Sequence, residues 1–164
     1  MESVEIAAHV PRLRRYARAL VGDSHRADDL VQDTLERSLT KFHLWRRGSD
    51  LRAWLFTIMH NVFVNQLKAR RESSLDDTAA AALQCAPQSD PLEMRDLDAA
   101  LRRLPAEQRE VLLLVGLEQM SYAETGKALG IPIGTVMSRL SRGRERLRIL
   151  MSGAPVVTNL KVVK

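Results

Sequence analysis

Residues 121–140 read SYAETGKALGIPIGTVMSRL, and this stretch decides the fold. Apolar and small residues recur at helical spacing up to Leu129, and Gly130 then ends the pattern. Pro132 can occupy only a turn or the first positions of a following helix. The stretch therefore predicts a helix from about 121 to 129, a tight turn, and a second helix over about 133–151, which together form a helix-turn-helix.

The second of these helices has one apolar face and one strongly basic face. The apolar face repeats at intervals of three and four residues and consists of Val136, Leu140, Gly143, Leu147 and Leu150. Residues 139–148 hold five arginines and one glutamate, a local charge of +4. Such a helix fits the DNA major groove, where arginine forks to guanine and Ser or Thr reaches a base edge or a phosphate. Free amides at 134–135 would face a phosphate, although a merely solvated basic face is the alternative.

Helical patterns continue toward the N-terminus from this motif. We predict helices over about 92–103 and 106–117, and earlier helices over about 6–21, 24–41 and 50–71. Aromatic residues make up only 4% of the chain, which disfavours β-sandwiches and barrels. The predicted fold class is all-α, with two small helical domains joined by a flexible linker.

Charge and composition place the domain boundaries. The 164 residues carry a net charge of +5, divided as +4 over 1–72, −3 over 73–91 and +2 over 92–153, with two lysines in 154–164. The acidic segment is rich in Ala, Ser, Asp and Gln, contains two prolines and shows no sustained helical period, so we predict a linker there. The last segment is expected to be a tail.

Several functional classes are disfavoured by composition. Cys85 is the single cysteine, which excludes an intramolecular disulfide and favours a reducing, cytoplasmic setting. The most apolar run, 54–64, is far shorter than the roughly 20 residues of a membrane span. The four histidines have no metal-ligand spacing, and no nucleophile elbow or phosphate-binding glycine loop is present. We expect no catalytic residue, metal, cofactor, small-molecule substrate or membrane insertion.

The helix predicted over 50–71 mixes aromatic and cationic side chains. Aromatic rings stack on unpaired bases and cations follow phosphates, which is how single strands are held. Packing in the core is the stronger alternative for Trp54 and Phe63 taken alone. The preceding segment 42–48 has aromatic and basic residues that either contact bases or form a packed connection between helices.

One face of the helix predicted over 24–41 is acidic, which is unexpected in a basic protein. Its members are Asp28, Asp29, Gln32, Asp33 and Glu36, and Arg37 lies on the same side of the helix. This face would repel DNA. It is therefore either ordinary solvated surface or a contact for a basic protein partner.

Four blocks of this sequence resemble the extracytoplasmic-function (ECF) sigma factors of bacterial RNA polymerase, which belong to the sigma-70 family. They are DDLVQDT at 28–34, LRAWLFTI at 51–58, LPAEQRE at 104–110, and GIPIGTV at 130–136 followed by SRL. These blocks stand in the order and spacing of the family, and their residues favour its general stress response subgroup. The resemblance implies a transcription initiation factor that is not an enzyme.

The resemblance also implies three contact surfaces. Core polymerase, at the β′ clamp helices, would be bound by Asp28, Asp29, Leu30, Gln32, Asp33 and Glu36. The minus-ten promoter element would be bound and melted by His43, Trp45, Arg47, Trp54, Asn61, Asn65, Lys68, Arg70 and Arg71. The minus-thirty-five element would be bound by Thr135, Ser138, Arg139, Ser141, Arg142 and Arg144. The linker would pass through the polymerase.

The implied partners are core RNA polymerase through its β′ and β subunits, promoter DNA and an anti-sigma factor. Two alternatives remain open on the sequence: a stand-alone helix-turn-helix regulator, and a sigma-like decoy that occupies an anti-sigma protein. The chain also departs from the family pattern. Thr125 and Gly126 stand where an aliphatic residue followed by Ala is usual, and Met137 stands where many members have Lys or Arg.

Overall fold

The computed structural model of the chain describes residues 2–73 and 92–152. These residues form helices and connecting turns without any strand, which confirms the all-α prediction. Most of the predicted linker, including Cys85, and the predicted tail lie outside the described residues. We refer to residues 2–73 as the first half and to residues 92–152 as the second half.

The first half contains four α-helices and one short 3₁₀ turn. They are α1 (Glu2–Ala7), α2 (Val10–Val21), α3 (Ser24–Lys41), the 3₁₀ turn (Phe42–Leu44) and α4 (Leu51–Ser73). The single helix predicted over 6–21 is wrong, because the helix breaks before Val10. Pro11 lies in the first turn of α2, where its missing N–H is not needed.

Local signals fix the junction between α2 and α3. Gly22 has a φ of 76° and donates its N–H to the carbonyl of Arg18, which closes α2. The side chain of Asp23 then accepts from the N–H of His25 and caps α3. Both signals were readable in the sequence, and the predicted bounds of α3 are confirmed.

The core of the first half is built by α2, α3 and α4. Fully buried members include Leu13, Leu30, Leu55 and Met59. Tyr16 of α2 meets Phe56 of α4 edge to face, with 5.0 Å between ring centroids.

The second half contains four further α-helices and one π-helical turn. They are α5 (Leu92–Arg103), α6 (Ala106–Leu112), the π turn (Leu113–Leu117), α7 (Tyr122–Leu129) and α8 (Ile133–Ser152). The helix predicted over 106–117 is therefore α-helical only as far as Leu112. The N–H of Glu118 reaches back to the carbonyl of Leu113 at 3.0 Å, and Gln119 has a φ of 54°.

Helices α7 and α8 form the predicted helix-turn-helix. Ser121 and Glu124 form a reciprocal capping box at the start of α7, and Gly130 ends the helix with a φ of 66°. A Cβ atom on Gly126 would lie 2.9 Å from the carbonyl oxygen of Ile131. Glycine at this departure from the family pattern therefore permits the close approach of the turn to α7.

The two halves pack against each other through continuous contacts. Helix α2 contacts α5, α6 and the π turn, and α4 contacts α7. The buried apolar residues of both halves, such as Leu20, Phe56, Leu104 and Leu114, belong to one contiguous cluster. This packing brings polar groups of one half next to those of the other.

Candidate nucleic-acid and partner interfaces

The acidic residues of α3 lie together on its outer side. Asp28, Asp29, Gln32, Asp33 and Glu36 are exposed. Behind them, Leu30 is 0% exposed and belongs to the core. The expectation that Leu30 contacts core polymerase directly is therefore corrected, because a fully enclosed side chain can only position its neighbours.

The charge of this acidic face is not neutralised within the described part of the chain. Its carboxylates take part in none of the ion pairs found there. Oδ2 of Asp33 accepts a hydrogen bond from Nε2 of Gln66 on α4 at 2.9 Å, and Nε2 of Gln32 lies 3.5 Å from Oε1 of Glu36. A neutral amide donor leaves the carboxylate charged, so the face remains available to a cationic surface.

A second polar surface runs along α4. Asn61, Asn65, Lys68, Arg70 and Arg71 are exposed, as expected of groups that contact DNA. The pKa of Arg26 at the start of α3 is lowered, first by burial and then by the nearby charge of Arg70. This cationic end of α4 therefore extends onto the beginning of α3.

The aromatic residues around the 3₁₀ turn pack against one another. Phe42 is buried, and its ring centroid lies 5.3 Å from that of Trp45 and 6.2 Å from that of Trp54. Both tryptophans are partly buried against the core, whereas His43 and Arg47 are exposed. Nε1 of Trp45 is buried without a hydrogen-bond partner. The burial of Trp45 and Trp54 thus fits the interpretation as a packed connection between helices. The exposed side chains of His43 and Arg47 fit a contact with a ligand.

The basic face of α8 is exposed along its N-terminal half. Ser138, Ser141, Arg142 and Arg144 are exposed, whereas Thr135 and Arg139 are partly buried. Nη2 of Arg139 lies 3.8 Å from Oε2 of Glu107 on α6, so this arginine is partly engaged within the second half.

The start of α8 differs in detail from the expectation. The N–H of Thr135 donates to the carbonyl of Pro132 at 3.0 Å, so this amide is not free for a phosphate. The amides that a helix start leaves free are instead those of Ile133 and Gly134. Met137, at the second departure from the family pattern, is 52% exposed on the same surface, as is Ile133 at 49%.

Contacts between the two halves were missed by sequence reasoning. Arg109 of α6 donates to four backbone carbonyls: those of Leu20, Leu101, Arg102 and Leu104, at 2.7 to 3.0 Å. The carbonyls of Leu101, Arg102 and Leu104 lie at the end of α5 or just beyond it, and the carbonyl of Leu20 lies near the end of α2. Burial, followed by the neighbouring cations Arg102 and Arg26, lowers the pKa of Arg109. Helix C-termini attract such cations because their last carbonyls are unpaired.

Two buried glutamates of the second half face the first half. Oε1 of Glu110 lies 2.6 Å from Nδ1 of His60 on α4. Oε1 of Glu118 lies 3.4 Å from Nη2 of Arg15 on α2, and its carbonyl accepts from Nη1 of Arg52 at 2.9 Å. A usable signal existed in the sequence, because Glu110 falls on the apolar stripe of its helix.

Two further kinds of site were sought among the described residues, a metal centre and a membrane-spanning helix. They contain no group of three or more His, Cys, Asp or Glu side chains placed to hold a metal ion. None of the helices in residues 2–73 and 92–152 combines the length and apolar character that crossing a membrane requires.

Two models of known protein families match this chain. Residues 6–60 match the family model "Sigma2 domain of PhyR", and residues 94–147 match "Sigma-70, region 4". The fold and its helix-turn-helix therefore define a sigma-type transcription protein. The two matched domains fall one in each half of the chain.

Relatives that match over most of their length identify one family within this class of proteins. The chain is 42% identical over 150 residues to the ECF RNA polymerase sigma factor EcfG of Rhodopseudomonas palustris, covering 90% of this chain and 83% of the relative. It is 32% identical to the RNA polymerase sigma factor CarQ of Myxococcus xanthus, covering 88% and 86%. The chain belongs to the ECF RNA polymerase sigma factors of the sigma-70 family, which are transcription regulators and not enzymes.

A solved structure shows the same architecture. The chain resembles the sigma factor RpoE of Bartonella quintana, determined in complex with the anti-sigma factor NepR. The TM-score is 0.83 at 37% identity, covering 92% of this chain and 96% of the other.

Proposed function

We propose that this chain binds core RNA polymerase through the acidic face of α3 and directs it to promoters read by α4 and α8. The observation that carries this proposal is the separation of charge. Uncompensated carboxylates occupy one exposed helix face, while exposed cations occupy the outer sides of α4 and α8. A single chain with both surfaces can join a basic protein surface to DNA.

The polymerase contact is tested by charge reversal. Asp29→Lys combined with Asp33→Lys should greatly weaken pull-down of core polymerase, because two carboxylates of the α3 face become cations. The matched control is Asp96→Lys, which reverses an exposed carboxylate on α5, outside that face. Equal retention of core by the double variant and the wild type would overturn the assignment.

The β′ and β subunits are the proposed contacts of this chain. Crosslinking of the chain to core polymerase identifies which subunit it contacts.

For the minus-ten element, we propose a contact surface formed by the exposed polar groups near and along α4. Its members are His43, Arg47, Asn61, Asn65, Lys68, Arg70 and Arg71. Trp45 and Trp54 are proposed to hold the loop from 42 to 50 against the helix, since their rings pack around Phe42. Loss of open-complex formation in Asn65→Ala, with upstream binding retained, would support this role.

For the minus-thirty-five element, we propose that α8 enters the major groove. Ser138, Ser141 and Arg142 would contact bases, while Thr135, Arg139 and Arg144 would contact phosphates or bases. The arginines supply phosphate attraction that falls with salt, and the base contacts supply sequence preference.

The proposed domain division follows the sequence boundaries. Residues 1–72 would form the polymerase and minus-ten domain, 73–91 the linker, 92–153 the minus-thirty-five domain and 154–164 a tail. A linker of this kind is required because the two DNA surfaces lie in different halves. Protease cleavage within 73–91 should release two fragments, each of which retains helical circular dichroism.

A sigma-like decoy is the second candidate. It is favoured by the match of residues 6–60 to the sigma2 domain of PhyR, because a PhyR of Bartonella quintana is an anti-anti-sigma factor solved in complex with the anti-sigma factor NepR. Run-off transcription with purified core polymerase separates the two. An initiating sigma factor yields a promoter-specific transcript, whereas a decoy yields none while still binding an anti-sigma protein. Matches to sigma domains in both halves favour either candidate over a stand-alone helix-turn-helix regulator.

We further propose that an anti-sigma factor binds this chain and that it serves the general stress response. The first statement is supported by the RpoE chain it resembles, which was solved with the anti-sigma factor NepR. The second rests on the resemblance of the four sequence blocks to that subgroup. Co-purification from stressed and unstressed cells tests the first statement. Loss of stress-induced transcripts in a deletion strain tests the second.

A further inference from the structure

Glu118 is a buried carboxylate with little compensation. Its side chain is 0% exposed at the contact between the halves. Oε1 has one long contact, 3.4 Å to Nη2 of Arg15, which is itself 56% exposed, and Oε2 has no hydrogen-bond partner. A single contact to a largely hydrated cation does not offset the cost of removing a carboxylate from water.

The backbone route holds Glu118 in this position. It directly follows the π turn, and its carbonyl oxygen accepts from Nη1 of Arg52 at 2.9 Å. Gln119 then takes a φ of 54°, which residues with a side chain adopt infrequently. Because Arg52 binds the backbone of Glu118, that contact survives removal of the carboxylate charge.

The surrounding groups do not supply the missing compensation. Tyr16 lies in the same enclosed region, and its pKa is raised by burial and further by the charges of Glu110 and Glu118. The Glu110 carboxylate has His60 at 2.6 Å, whereas the Glu118 carboxylate has only the 3.4 Å contact with Arg15 among the described residues.

The proposed function requires the halves to separate, and the present inference rests on that function. Elements at minus ten and minus thirty-five are about 25 base pairs apart, roughly 85 Å at about 3.4 Å per base pair. A compact chain of 164 residues has a radius of gyration of about 15 Å, so its packed form cannot reach both.

We infer that Glu118 is a built-in destabiliser of the packed arrangement, whose buried charge keeps the closed chain ready to open. Opening exposes the carboxylate to water and recovers its hydration. Arg15 moderates this effect, because its guanidinium forms an ion pair with the carboxylate at 3.4 Å. The closed state is therefore held by apolar burial, by Arg109 and by Arg102, whose Nη2 donates to the carbonyl of Gly22 on the first half at 3.0 Å. It is opposed by Glu118.

The test uses single-molecule fluorescence transfer between dyes on the two halves. Cys85→Ser removes the native thiol, and Val4→Cys and Met151→Cys supply exposed label sites on α1 and α8. Glu118→Gln should reduce the open-to-closed ratio about tenfold, since an isosteric neutral amide removes the buried charge. Glu5→Gln, which removes an exposed carboxylate of α1, should leave the ratio unchanged.

A double-mutant cycle tests whether Arg15 acts through the Glu118 carboxylate. Arg15→Ala should raise the open fraction, and the double variant with Glu118→Gln should behave like Glu118→Gln alone, because Arg15 acts through the carboxylate. An open fraction in Glu118→Gln equal to or above that of the wild type overturns the inference. If that variant does not fold, an unchanged open fraction in Arg15→Ala overturns it. Absence of run-off transcription by the wild type would instead overturn the proposed function.

Discussion

Nδ1 of His60 lies 2.6 Å from Oε1 of Glu110, and this contact joins the middle of α4 to α6 across the junction of the two halves. Both side chains are largely enclosed, with 18% and 6% exposed. The helix proposed to read the minus-ten element is thus held by the half proposed to read the minus-thirty-five element.

His60→Ala should lower the free energy of unfolding by about 1–3 kcal/mol, because it leaves Glu110 buried without its closest partner. Urea denaturation followed by circular dichroism measures the change. His25→Ala is the matched control, since that histidine is exposed on α3. Equal stability of the two variants would show that the contact contributes nothing to the packed form.

Arg109→Lys should cost about 2 kcal/mol, although the charge is retained. A lysine ammonium cannot reproduce the planar fork that serves four carbonyls on α2, on α5 and beyond α5. Arg103→Lys, on the exposed side of α5, should change the free energy of unfolding little. Thermal and urea denaturation of both proteins provide the comparison.

Stability should fall at alkaline pH through Tyr16. Its pKa in the folded chain is raised above the ordinary value by burial, so the folded form keeps the proton longer than the unfolded form does. The contribution is complete below about pH 10 and declines by about 1.4 kcal/mol per pH unit above it, until the folded pKa is reached.

Tyr16→Phe should remove this part of the alkaline decline while keeping the ring contact with Phe56. Tyr122→Phe should keep the decline. The free energy of unfolding of all three proteins, measured by urea denaturation at pH 8 to 11, decides the matter. Identical pH profiles for the wild type and Tyr16→Phe would contradict the expectation.

Gly126→Ala should destabilise the second half even though Ala favours a helix by about 1 kcal/mol. The added Cβ would lie 2.9 Å from the carbonyl oxygen of Ile131, which is backbone and cannot move aside cheaply. Gly134→Ala meets nothing within 4 Å and should be neutral or stabilising. Melting temperatures of the two variants test this contrast.

Arg142→Ala should cost about 1–3 kcal/mol at one base pair of the upstream element, if its guanidinium contacts a base. Binding to a panel of single-substituted duplexes measures the effect. Arg146→Ala, on a more C-terminal part of α8, should weaken all duplexes about equally or not at all. A uniform loss in Arg142→Ala would identify a phosphate contact instead.

Much of the fold was predictable from local patterns. The helix-turn-helix followed from Gly130 and Pro132 together with the spacing of Val136 and Leu140, and the caps at Gly22 and Asp23 set the ends of α2 and α3. The break before Val10 and the π turn were not predicted. Before Val10 a local signal does exist, because Pro11 is accommodated only near the first turn of a helix or at a kink. At the π turn the sequence keeps an acceptable helical pattern.

The sequence by itself determined the helices, the two surfaces of opposite charge and the family resemblance, because these depend on the spacing of residue types along one element. Tertiary structure alone decided that Arg109 binds the end of α2 and that Glu118 is buried beside Arg15. Arg15 and Glu118 are 103 positions apart in the chain. The spacing of residues along one helix cannot predict such a pair, because the two side chains meet only when the two halves pack together.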